Sequence, residues 1–220
     1  MKPVLISLWL LVLPHMAVGQ RQVVFENRLP AFDLVAPVYG INPLAPSIRM
    51  SGNATTIGGT VDYTGVPLLS GNTYTASLWG ARLEISDVAQ FELLSTRPFR
   101  TSVAGAGFWS PPPEGPVLVP FVSADDHFFN AQVRVWDNQN GTITSWAQAL
   151  ANPSVGGMGY SEVFTLPVVS RDAPAAYLQG LTSFNLTVVP EPSALALGLL
   201  GAAGLWLFER RHPSHQHRPR

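Results

Sequence analysis

Ala131-Gln132-Val133-Arg134-Val135-Trp136 alternates apolar and polar side chains along one short run. A period of two is the signature of an extended strand, because successive side chains leave a strand on opposite faces. The run predicts that Ala131, Val133 and Val135 face a core and Gln132 and Arg134 face away. Trp136 falls on the second face, either exposed or covering a further buried surface. Working outward, Tyr74-Thr75-Ala76-Ser77-Leu78-Trp79 repeats the pattern with Tyr74, Ala76 and Leu78 on one side. Leu181–Val188 predicts Phe184, Leu186 and Val188 inward and Ser183, Asn185 and Thr187 outward. Val23-Val24-Phe25, Phe91–Leu94, Val117–Val122 and Glu162–Leu166 read as further strands. Thr55–Tyr63 reads as a strand bent at Gly58-Gly59.

Turn chemistry separates these runs. Leu69-Ser70-Gly71-Asn72 leads into one strand, and Asp137-Asn138-Gln139-Asn140-Gly141 leaves another. Pro111-Pro112-Pro113 has no N–H to offer a central strand. Ser145–Ala151 is the one helical signal, with Ser145 as its cap. Only 12% of the chain is charged, and it carries 20 Pro and 19 Gly. The expected fold is therefore all-β: a single β-sandwich, immunoglobulin-like or jelly-roll, over residues 20–189.

The two ends read differently from the body. Met1-Lys2-Pro3 supplies a positive charge, Val4–Leu13 is apolar, and Ala17 and Gly19 are small residues two apart. These are the parts of a secretory signal peptide over residues 1–19, with cleavage expected before Gln20 by signal peptidase of the general secretion machinery. At the other end, Pro190-Glu191-Pro192 precedes Ala194–Phe208, an apolar stretch without charge. Arg210 and Arg211 follow it as a basic anchor, which orients that side toward the cytoplasm. Gly198, Gly201 and Gly204 recur as small packing positions do in membrane helices.

This triple of Pro-Glu-Pro, short hydrophobic helix and arginine cluster resembles the PEP-CTERM sorting signal of bacterial exopolysaccharide producers. The resemblance covers residues 190–220, with the transmembrane helix at 194–208. It implies that an exosortase-like membrane enzyme processes the chain near Pro190, Glu191 and Pro192. It also implies an inner-membrane-anchored precursor and delivery to the cell surface or extracellular matrix. The extended tail holding His212, His215 and His217 departs from the usual pattern by its length.

The catalytic inventory is thin. Between Gln20 and Val189 stand eight Arg, twelve Asp plus Glu and no Lys, so the body lacks the basic surplus of a nucleic-acid binder. With no cysteine there is no disulfide, thiolate metal site or cysteine nucleophile. His127 is the one histidine of the body, in Ser123-Ala124-Asp125-Asp126-His127, and no nucleophile motif accompanies it. Asp125 and Asp126, or Asp137, Asn138 and Asn140, offer oxygen ligands for calcium, but a solvated acidic loop and turn stabilisation by Asp and Asn side chains are the better readings. No metal or cofactor is expected. Trp79, Trp109, Trp136, Trp146, Tyr63, Tyr74 and Tyr160 are candidates for a sugar-stacking platform, with Trp109, beside Gly107 and Pro111, the best placed to be exposed, although most of the set is expected in the core. The expected function is a non-catalytic surface or matrix protein associated with exopolysaccharide. A carbohydrate-binding module and a secreted polysaccharide hydrolase using paired carboxylates are the alternatives.

Overall fold

The computed structural model describes residues 21–123, 125–152, 156–169 and 173–188. The signal-peptide residues, the Pro190–Pro192 motif, the 194–208 stretch and Arg210 and Arg211 lie outside the described residues. Within them the regular structure is mostly β-strand, arranged in several sheets with almost no helix. No helix among them is long and apolar enough to cross a membrane.

The first strands are β1 (Arg21–Val24), β2 (Arg28–Leu29), β3 (Leu34–Val35) and β4 (Val38–Tyr39). After a long looped excursion come β5 (Tyr74–Arg82), β6 (Glu92–Pro98), β7 (Val117–Val119) and β8 (Phe128–Asp137). A short helix, α1 (Trp146–Ala151), precedes β9 (Met158–Tyr160), β10 (Phe164–Pro167), β11 (Ala176–Tyr177) and β12 (Phe184–Asn185). Ser145 caps α1, its hydroxyl accepting from the Gln148 N–H at 3.2 Å.

The largest sheet runs β10-β8-β5-β6, with β9 also paired to β8. β5 and β8 are antiparallel over nine register pairs, from Tyr74 opposite Asp137 to Arg82 opposite Phe129. The other edge of β8 is shared: β10 takes Phe128–Ala131 and β9 takes Arg134–Trp136. A second sheet has the order β11-β1-β7, with β1 parallel to β11 and antiparallel to β7. β12 pairs in parallel with β4, and an isolated bridge from Met158 to Thr187 joins that pair to β9. Gly159 sits at this junction, where a Cβ would come within 2.6 Å of the Asn185 carbonyl oxygen. Any larger residue would push β12 away from β9.

One apolar cluster lies between the two larger sheets. Val23 from β1 and Val117 and Val119 from β7 meet Ala76 and Leu78 of β5 and Ala131, Val133 and Val135 of β8. The alternation in both long strands is thus realised as expected. Trp136 is buried on the opposite face, against Ile143, Ala149 and Met158.

Three expectations need correction. Thr55–Tyr63 is not a strand: Thr55–Ile57 form a 3₁₀ turn closed by Gly58 at φ 79°. Gly59 packs so tightly on Asn53 that a side chain there would overlap its carbonyl. In Leu181–Val188 only Phe184–Asn185 is strand, and Ser183 and Asn185 are buried rather than exposed. Asn185 is buried because its amide serves the backbone, donating to Ile48 O (3.1 Å) and accepting from Met50 N–H (2.6 Å). Trp109 is the third. It is fully buried, with its ring 4.9 Å from Phe25 and 6.2 Å from Phe99 and its indole N–H donating to Phe25 O at 2.9 Å. It cannot stack on a glycan from inside the core.

Asn27 ties this region together. Its buried amide nitrogen donates to Ala36 O (2.8 Å) and Gly107 O (3.0 Å), and its oxygen accepts from the Trp109 N–H (3.3 Å). Removing such a group strands several buried partners. Asn27→Ala is therefore expected to lower unfolding free energy by about 2–3 kcal/mol, read as a lower denaturant midpoint at unchanged slope. A loss below about 0.5 kcal/mol would show that water replaces the amide.

Candidate functional site

The outward face of the large sheet is built by residues that the alternation turns away from the core. Ser77 lies opposite Arg134, Trp79 opposite Gln132, and Arg134 opposite Tyr160. The edge of β8 is interrupted between β9 and β10, and Ser161 fills the interruption. Its N–H donates to Val133 O (2.9 Å), and its hydroxyl accepts from the Val133 N–H (3.0 Å). The side chain thus replaces a backbone acceptor, and Gln132 fastens the segment by donating to Ser161 O at 3.2 Å. Tyr160 ends the β9 ladder opposite Arg134, and beyond the break Glu162 and Val163 join it in lining the groove.

On the far side, α1 packs Trp146 edge-on to Trp136, with ring centroids 6.2 Å apart. Between the helix, β9 and the Val88–Gln90 turn, the sheet floors a groove of about 670 Å³. Trp79, Trp146 and Tyr160 line it, with Gln132 and Arg134 at the floor and Glu162 at the wall. A second concavity, of about 470 Å³, lies against β1 and β11, and none of the described residues lining it is charged.

Arg134 is the centre of the groove. It is 6% exposed, and its guanidinium lies 4.3 Å from the Trp79 ring and 5.8 Å from that of Trp146. Its Nε donates to Gln132 Oε1 (2.8 Å) and its Nη2 to Val88 O (2.5 Å). Burial pulls its pKa below the ordinary value, since taking a cation out of water disfavours the charged form. Trp79 is held in turn by a relay: its indole N–H donates to Ser77 Oγ (2.8 Å), which donates to Arg134 O (2.9 Å). Glu162 is bound to Arg49 at 2.7 Å, and Arg49 stacks on Tyr160 at 4.3 Å. Rigid indoles beside fixed polar groups are suited to recognition of an amphipathic ligand. Glu162 is the only carboxylate among the described lining residues, which assemble no acid pair.

The sequence candidates fall elsewhere or divide. Of the aromatic set, Trp79, Trp146 and Tyr160 converge here, whereas Trp109, Trp136 and Tyr63 are buried. Tyr39 and Tyr63 stack with centroids 3.9 Å apart, and burial raises the pKa of both phenols. His127 is exposed at the start of β8. Asp126 closes its own loop by accepting from the Ser123 N–H at 2.5 Å. Asp137 accepts from Gln139 N–H (2.8 Å), and Asn138 accepts from Gly141 N–H (3.0 Å) while donating to Asn72 O (2.8 Å). These oxygens stabilise turns, and no group of three His, Asp or Glu is poised for a metal among the described residues. Arg134 escaped sequence reasoning, although a cation between two core valines on a central strand was a usable signal. Comparison with family models, curated proteins and solved structures finds no match.

Two outcomes follow from this geometry. Ser161→Ala leaves the Val133 N–H without its acceptor in a buried ladder and is expected to cost about 1–3 kcal/mol in urea unfolding. The Ser123 hydrogen bond lowers the Asp126 pKa from its ordinary 3.8. A lowered carboxylate pKa contributes stability at pH above the unfolded value, and that contribution is lost as pH falls through the folded one. The Ser123 amide resonance should accordingly titrate below pH 3.8, and Asp126→Asn should abolish the step.

Proposed function

We propose that the chain is an exported, tail-sorted surface or extracellular-matrix protein without catalytic activity, whose β body holds exopolysaccharide in the groove floored by Arg134. The groove is the observation that carries the binding part of this reading. Trp146 and Tyr160 present partly open ring surface beside hydrogen-bonding groups, which is the chemistry a sugar's apolar face and hydroxyls require. Export and sorting rest on the two end segments: the signal peptide ending at Ala17 and Gly19, and the Pro190-Glu191-Pro192 motif with Arg210 and Arg211. Signal peptidase and an exosortase-like enzyme are the processing partners. The precursor is anchored in the inner membrane and the product is delivered outward.

The finer architecture belongs to the same proposal. The body is a single β-sandwich, immunoglobulin-like or jelly-roll. Support comes from the shared cluster in which β1 and β7 meet β5 and β8. On this reading the groove lies on the outer surface of one sheet, clear of the inter-sheet core.

A glycan array probed with the mature body tests the binding. Tyr160→Ala should weaken binding about tenfold, or roughly 1–2 kcal/mol, as expected for a rigid aromatic anchor. Tyr160 is 41% exposed, so this change leaves the core intact. Binding unaffected by Tyr160→Ala and Trp146→Ala would place any glycan site elsewhere. Sorting is tested by the intact mass of protein recovered from cell fractions. A species from near Gln20 to near Pro190, outside the inner membrane, is expected. Retention of Ala194–Arg220 in the inner membrane would remove the sorting part of the proposal.

A further inference from the structure

Arg134 is a buried cation that no described carboxylate neutralises. The ion pairs among the described residues join Arg49 to Glu162, Arg82 to Glu84 and Asp126, and Arg100 to Glu26. Arg134 is in none of them, and its partners are an amide oxygen, a backbone carbonyl and two indole rings. An unpaired buried charge is costly, and neutral acceptors offset only part of that cost. A guanidinium carries five N–H donors, and the contacts made here occupy two nitrogens. Nη1 donates to no acceptor among the described residues and is not one of the polar atoms sealed away from solvent. It therefore keeps contact with solvent, and Arg134 is one of the residues lining the groove.

The other charges at the groove do not cancel this one. Glu162 reaches the wall, but Arg49 binds it at 2.7 Å. The sum over Arg134, Arg49 and Glu162 is one positive charge. That charge sits on the floor, between aromatic walls that would exclude water once a ligand is seated and so strengthen the interaction made there.

We propose that the groove selects an acidic polysaccharide, with the carboxylate of a uronic acid unit received by Nη1 of Arg134 and the sugar rings seated against Trp146 and Tyr160. This rests on the glycan-binding reading and adds the class of sugar. A carboxylate supplies the counter-charge that the protein withholds. Its charge-assisted hydrogen bond is roughly twice as strong as a neutral one. A neutral glycan would leave the cation buried and unpaired.

The test compares oligogalacturonate with its methyl ester, by calorimetry on the unmodified mature protein. Esterification removes the charge and keeps the sugar backbone. The acid form should bind about tenfold tighter or more, and its advantage should shrink as salt rises. Arg134→Gln should abolish the preference. If that variant does not fold, the ester comparison still decides, because it needs no substitution. Equal affinity for acid and ester would overturn the charge inference and leave the glycan reading standing. No binding to either, or to any neutral oligosaccharide on the array, would remove both.

Discussion

β8 is buried along both faces and hydrogen-bonded along both edges, and the rest of the body is arranged to meet that condition. One face is simple to cover, because Ala131, Val133 and Val135 enter the apolar cluster shared with β1, β5 and β7. The other face carries Gln132, Arg134 and Trp136, which need partners rather than mere cover. α1 seals Trp136, whose indole N–H donates to Ile143 O at 3.0 Å. The Val88 carbonyl and the indoles of Trp79 and Trp146 surround Arg134. The groove is what remains between these coverings.

The edge of β8 shows the same economy. A continuous partner strand would bury the outward face further and leave no rim. Two short strands divided at Ser161 keep the ladder satisfied through a hydroxyl, with Tyr160 ending one strand and Glu162 following the break. The backbone requirement that every buried N–H find an acceptor is met by a side chain, and the chain beyond it contributes Glu162 and Val163 to the groove. β9 has a second obligation, since Met158 and Thr187 exchange backbone bonds of 3.0 and 2.8 Å. Gly159 permits that approach by having no side chain to obstruct it.

Much of this was legible in the sequence where burial is one-sided. Ala76, Leu78, Val133 and Val135 declare their face by alternation, and the structure places all of them in the core. Ser145 announces α1 by its capping chemistry. Legibility fails where a polar residue is buried for its hydrogen bonds. Ser183 and Asn185 read as solvent-facing, and Asn27 read as nothing at all, yet each is enclosed. Such residues are decided by partners distant in the chain: Asn27 meets Gly107, and Asn185 meets Ile48. The aromatic platform was half legible for the same reason. Local composition near Gly107 and Pro111 suggested an open Trp109, but its indole N–H is committed to Phe25 O across the core. Trp79 and Trp146 are brought together only by the sheet register and the docking of α1.

The placement of the indoles gives the body a built-in optical division. Trp109 and Trp136 are sealed, whereas Trp79 and Trp146 border the groove. An indole in an apolar interior emits at shorter wavelength than one in contact with water, and a dissolved quencher reaches only the latter. The emission of the body is therefore the sum of a protected component that follows core integrity and an accessible component that follows the state of the groove. A ligand seated there would shield the second while leaving the first unchanged. Loss of the fold would merge the two.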